Sequence, residues 1–142
     1  MPLSDDEKAA VLARLPLFAG VSSDSLTRLT AVAGEQDFAA GYYIVRQGQV
    51  GTGLYVLLEG RVRVIRGSDE LAVLVPGDFF GELAVIDQRP RGASVEAIEA
   101  TRCLALASWD LLDLLEHDPQ LSLNLIRGLV ARIRDQGEHP HH

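Results

Sequence analysis

The feature that most constrains this chain is a change of hydrophobic period. From residue 35 to residue 107 the apolar residues stop recurring at helical steps. They fall instead into short runs, 36–38, 42–45, 54–59, 61–66, 70–75, 93–97 and 102–107, separated by Gly, Pro, Ser or Asp. Strands this short and this evenly spaced make a sandwich or a small barrel. Arg61, Arg63 and Arg66 mostly alternate with Val62, Val64 and Ile65, which reads as a strand with a solvated face rather than a nucleic-acid patch. The glycines at 41, 48, 51, 53 and 60 are assigned to turns. Gly48-x-x-Gly51-x-Gly53 looks like a nucleotide loop, but a strand-like run follows it where a dinucleotide fingerprint needs a helix, so it is read as a hairpin turn.

Helical spacing holds on both sides of this region. Ser4 with Glu7 forms a capping box, and Val11, Leu12 and Leu15 make an apolar stripe that Pro16 ends. After an apolar connector, residues 17–21, Ser22 or Ser23 caps a second helix carrying Leu26, Leu29 and Val32, with Gly34 as its stop. On the far side Ser108 is taken as the cap of a helix over 109–117, and Asp118-Pro119 caps and opens another. In that last helix Leu121, Leu125, Ile126, Leu129, Val130 and Ile133 recur at three- and four-residue steps, over roughly 25 Å of helix. The expected layout is one domain: a helical lead-in over 4–34, a barrel over 35–107 and closing helices over 109–136.

Within the barrel region one stretch has the makings of an anion pocket. Gly77 and Gly81 permit tight backbone geometry, and residues 82–86 are long enough for about one helical turn whose first amides would face a ligand above Gly81. Ten residues after Gly81 comes Arg91, whose planar fork matches a phosphate, while Glu82 offers an acceptor-only carboxylate suited to a sugar hydroxyl. Arg89 and Arg91 flank Pro90; Arg91 is preferred because it directly precedes Gly92-Ala93-Ser94-Val95.

Phe80-Gly81-Glu82-Leu83-Ala84, a short turn, then Arg91-Gly92-Ala93-Ser94-Val95 resembles the phosphate-binding cassette of the cyclic nucleotide-binding domain family. The resemblance implies an α+β fold, a jelly-roll β-barrel of about eight strands with N-terminal helices and two C-terminal helices, the last one long. It also implies that Glu82 takes the ribose 2′-hydroxyl, that Arg91 takes the cyclic phosphate, and that the backbone of Gly81, Glu82, Leu83 and Ala84 completes the phosphate site. Gly92 and Ala93 follow the arginine in the same site. Leu71 and Leu74 stand where relatives place base contacts, and Arg132 and Gln136 fall where the last helix would cover the base. Family members preferring cGMP carry a Thr after the cassette Arg; Gly92 here favours cAMP, with cGMP the lesser ligand. The family usually has Gly-Asp or Gly-Glu where this chain has Gly48-Gln49, a departure that touches a turn rather than the pocket.

The function implied is a regulatory sensor module that signals through its last helix, without catalysis, and that forms a homodimer through that helix. Two rivals stand beside it: a degenerate domain of this fold that binds no nucleotide and serves in dimerisation or docking, and the sensor half of a transcription regulator. No nucleophile–base pair is visible, and the four histidines, 117, 139, 141 and 142, lie outside the strand region, unlike the paired strand histidines a metal-dependent cupin would need. A net charge of −7 opposes broad attraction to nucleic acid or anionic lipid, and with no helix-turn-helix no direct nucleic-acid contact is expected. No apolar window is long enough to span a bilayer, and the acidic start Ser4-Asp5-Asp6-Glu7 is unlike a signal peptide, so a cytoplasmic protein is expected. The single Cys103 permits no internal disulfide and is read as a buried structural thiol rather than a haem ligand.

Overall fold

A computed structural model of the chain describes residues 2–50, 53–81 and 92–138, the side chains of Arg132 and of 135–138 excepted. Among the described residues eight strands lie in two four-stranded antiparallel sheets. The first runs β1 (Gly34–Phe38), β8 (Thr101–Ala107), β3 (Gly53–Glu59), β6 (Phe79–Phe80); the second runs β2 (Tyr43–Val45), β7 (Ser94–Ala97), β4 (Val62–Arg66), β5 (Asp69–Leu74). The pairs β1/β8, β2/β7, β3/β6 and β4/β5 are those of one long hairpin, turned at Gly67-Ser68 and rolled up, which is the jelly roll expected from the resemblance.

Among the described residues four helices and a 3₁₀ turn accompany the barrel: α1 (Asp5–Ala13), the turn Pro16–Phe18, α2 (Ser23–Val32), α3 (Ser108–His117) and α4 (Pro119–Glu138). The capping box forms as expected, Ser4 Oγ accepting from Glu7 N–H at 3.2 Å and Glu7 Oε1 accepting from Ser4 N–H at 3.0 Å. Ser22, not Ser23, caps α2. Among the described residues no helix is long and apolar enough to cross a membrane.

The sheets enclose one apolar cluster and the first sheet shares a second with the helices. Tyr55, Leu57, Val62, Phe80, Val95, Cys103 and Ala105 fill the barrel, while Leu54, Val56, Leu104 and Leu106, alternating with them, pack against Leu12, Phe18, Leu29, Leu111, Leu121 and Leu125. β3 and β8 are therefore buried on both faces, which is why 54–58 and 103–106 read as unbroken apolar runs rather than alternating ones.

Several boundaries differ from the sequence reading, each for a local reason. Gly34 does not stop α2 with a left-handed cap; Ala33 leaves the helix in extended geometry (ψ 131°) and Gly34 is already the first residue of β1. Ser108 is the first helical residue of α3, with Ala107 at the cap position. Gly53 is no turn residue but opens β3, where a Cβ would stand 2.6 Å from the Leu106 carbonyl oxygen. The run from Gly48 to Gly53 is not a hairpin either, because β2 and β3 belong to different sheets and the connection crosses between them.

Candidate ligand site at the barrel mouth

The entry to the cassette is built by a tight turn whose residues are those its geometry demands. Val75 O accepts from Asp78 N–H at 3.0 Å around Pro76 and Gly77, and Gly77 has φ 98°. A type II turn wants Pro second and a positive φ third, which Gly supplies without strain. The Asp78 carboxylate returns the favour by accepting from Val75 N–H at 2.9 Å, and Asp78 O accepts from Leu57 N–H at 2.8 Å, so the turn is fastened to β3. Two residues of β6 follow, held by Phe80 stacking on Tyr55 with centroids 5.1 Å apart, and Gly81 then leaves the strand at φ 97°.

Glu82, Leu83, Ala84 and Arg91 lie outside the described residues, so their roles stay with the resemblance. Gly92 is exposed and Ala93 half-buried, just before β7. The described chain thus leaves the first sheet after Phe80 and enters the second at Ser94.

Register places the remaining candidates relative to that exit. Ser94 is opposite Ile65 across β7 and β4, and Ile65 is opposite Glu70 across β4 and β5. Between the Ile65 and Val64 rungs β5, an edge strand, carries one extra residue, Leu71, a bulge at the Ser94 end of the sheet, where Leu71 is 47% exposed. Leu74 sits at the other end, opposite Val62, half-buried against the barrel cluster. The two leucines therefore do not stand together: Leu71 is brought to the cassette exit and Leu74 is part of the interior wall. Arg132 and Gln136 belong to α4, and their side chains lie outside those described.

Sequence reasoning passed over Gln47 and Arg66. Arg66 Nε donates to Gly92 O at 3.2 Å, and Gln47 N–H donates to Ser94 Oγ at 2.8 Å. The alternation of β4 marked Arg66 as a solvated face residue; its place just before the Gly67-Ser68 turn, at the mouth end of the sheet, was the available clue.

No other described group competes for a chemical role. Burial pushes the Cys103 thiol up to about 12, so it stays protonated. Asp113, Glu116 and His117 bring potential ligand atoms within 4.8 Å of one another, but all three are exposed on one face of α3.

Comparison with known proteins agrees with this geometry. A sequence model of the family described as cyclic nucleotide-binding domain matches residues 35–118. The chain is 30% identical over 129 residues to a CRP-like cAMP-activated global transcriptional regulator of Mycobacterium tuberculosis, covering 87% of this chain and 58% of that one. It is 35% identical over 125 residues to the cyclic AMP receptor protein of Thermus thermophilus, covering 84% of this chain and again 58% of the relative. The N-terminal domain of a transcriptional regulator from Streptomyces coelicolor A3(2) superposes with a TM-score of 0.82 at 33% identity, over 93% of this chain and 96% of that one. The chain thus spans little more than half the length of the curated relatives it matches. With eight described strands wound as a jelly roll and a family match across the barrel, the chain belongs to the cyclic nucleotide-binding domain family.

Proposed function

We propose that this chain is a non-catalytic sensor module that binds a 3′,5′-cyclic nucleotide, cAMP in preference to cGMP, and passes the binding event to α4. The observation that carries the reading is positional. A stretch filling every fixed position of the family's cassette runs between Phe80 in one sheet and Ser94 in the other, and the exposed Leu71 lies at the Ser94 end of the second sheet. In this reading Arg91 and the backbone of 81–84 hold the phosphate, Glu82 holds the ribose, and Leu71, without Leu74, bounds the base. Gly92 offers no side chain to a guanine amino group. Calorimetric titration with cAMP and with cGMP tests it: heat with cAMP at lower concentration than with cGMP supports the reading, and no heat with either at millimolar ligand removes it.

A second reading, that the module is the sensor part of a transcription regulator, draws on the Streptomyces structure and on the coverage of the curated relatives. It places the nucleic-acid contact outside this chain. It also gives a job to α4, where Leu123, Ile126, Val130 and Ile133 remain exposed at three- and four-residue steps, an apolar face suited to a second copy of the same helix.

A further inference from the structure

Two loops of the second sheet converge on the point where the cassette ends. The paired rungs of β4 and β7 stop at Ile65 and Ser94. Beyond that rung Arg66, the last residue of β4, reaches on to the Gly92 carbonyl with Nε at 3.2 Å, fixing the residue that follows Arg91. Gln47, between β2 and β3, acts twice: its N–H donates to Ser94 Oγ at 2.8 Å, and its Oε1 accepts from Gly67 N–H at 2.8 Å. Gln47 thereby joins the tip of the β4–β5 hairpin to the strand leaving the cassette, and Arg66 closes the ring from the hairpin side. The barrel's pairing does not require these contacts; they extend order from the last rung into the loop.

We infer that Arg66 and Gln47 form a clip that sets how tightly the cassette holds an anionic ligand. This rests on the cyclic nucleotide reading given above. The clip acts in two ways. It orders residues 92–94 before the ligand arrives, so less freedom is lost on binding. It also holds a guanidinium beside the residue that follows the phosphate-binding arginine. Both parts are modest, because Arg66 is exposed and its charge is screened by solvent and salt.

Calorimetry with cAMP on four proteins tests the clip: the unmodified chain, Arg66→Ala, Arg66→Lys and Arg61→Ala. Arg61 pairs with Glu99 at 2.7 Å, away from the cassette, and controls for loss of one surface cation. Arg66→Ala should weaken binding by roughly threefold to tenfold, the scale of one hydrogen bond with a screened charge, and should flatten its salt dependence. Arg66→Lys should restore the salt dependence but not the full affinity, and Arg61→Ala should change neither. In ligand-free protein, Arg66→Ala and Gln47→Ala should each speed amide exchange over 92–95. Affinity of Arg66→Ala within twofold of the unmodified chain, or an equal loss in Arg61→Ala, overturns the clip while leaving the nucleotide reading intact. No binding by the unmodified chain overturns the nucleotide reading, and the exchange comparison then decides whether the clip orders the loop at all.

Discussion

Arg28 on α2 reaches Asp118, the residue before α4, with Nη2 2.8 Å from Oδ2. The same carboxylate oxygen accepts from Ser25 Oγ, and Oδ1 accepts from Leu121 N–H at 3.0 Å, capping α4 from inside the molecule. One side chain thus fastens the start of the last helix to the lead-in helices. Asp118→Ala removes the cap and the acceptor of the Ser25 hydroxyl, a residue 1% exposed, so it should lose roughly 1–3 kcal/mol in urea denaturation. Arg28→Ala should lose no more than about 1 kcal/mol, since its side chain is 51% exposed.

The same site fixes a pH dependence. The bonds from Arg28, then Ser25 and the Leu121 amide, hold the Asp118 carboxyl at about 2, below its ordinary 3.8, against the opposing effect of burial. A depressed folded value means that the contribution is complete above 3.8 and is lost as pH falls through about 2. Acid titration of stability should show this loss, on the order of 2 kcal/mol, in the unmodified chain and not in Asp118→Asn.

In the cassette, Arg91→Ala should weaken cyclic nucleotide binding by roughly 2–5 kcal/mol, the cost of removing one partner of a desolvated charge pair. Gly92→Thr is the sharper probe of base choice. A Cβ at residue 92 meets no atom of the described residues within 4 Å. The substitution should narrow the cAMP–cGMP gap by one hydrogen bond, about 0.5–1.5 kcal/mol, measured by parallel titrations.

Helix α4 should respond to ligand in its second half. Its first turns are clamped: Leu121 and Leu125 are buried, and Asn124 Nδ2 donates to Leu17 O at 3.1 Å. Asp118, which caps the helix, is part of that clamp. Saturating cAMP should therefore raise hydrogen-exchange protection in 130–138 more than in 119–125. An equal rise along the helix would mean that the clamp opens.

The buried thiol gives a simple check of global opening. Cys103 is 0% exposed, and its raised pKa leaves almost no thiolate at mildly alkaline pH. A thiol reagent should modify it only at the rate of unfolding, and promptly in denaturant.

What the sequence disclosed followed the range of the forces involved. The capping box at Ser4 and Glu7, the type II turn at Pro76-Gly77 and the stripe on α4 are local, and their residues declare them. Seven of the eight strands were visible as runs; β6 was not, because two residues have no period and Phe79–Phe80 is a strand only by pairing with Tyr55 and Val56. Gly53 looked like a turn because its reason for being glycine, the Leu106 carbonyl, is distant in sequence. Leu71 and Leu74 were taken together on the resemblance, and nothing local marked the bulge that sets Leu71 off; Arg66 was set aside because its partner lies across the sheet.

The rolled hairpin also sets a folding order. Only β4 and β5 are neighbours in sequence as well as in space, joined by Gly67-Ser68; each pair outward from them, β3/β6, β2/β7 and β1/β8, closes a longer loop. Loop closure rises in entropic cost with length, and folds dominated by distant pairings reach the native state slowly. The hairpin that carries Arg66 and Leu71 can form first, and Gly34 meets Ala105 last. The mouth of the site would then hold one finished wall while β8, and with it the helices that close the molecule, is still finding its place.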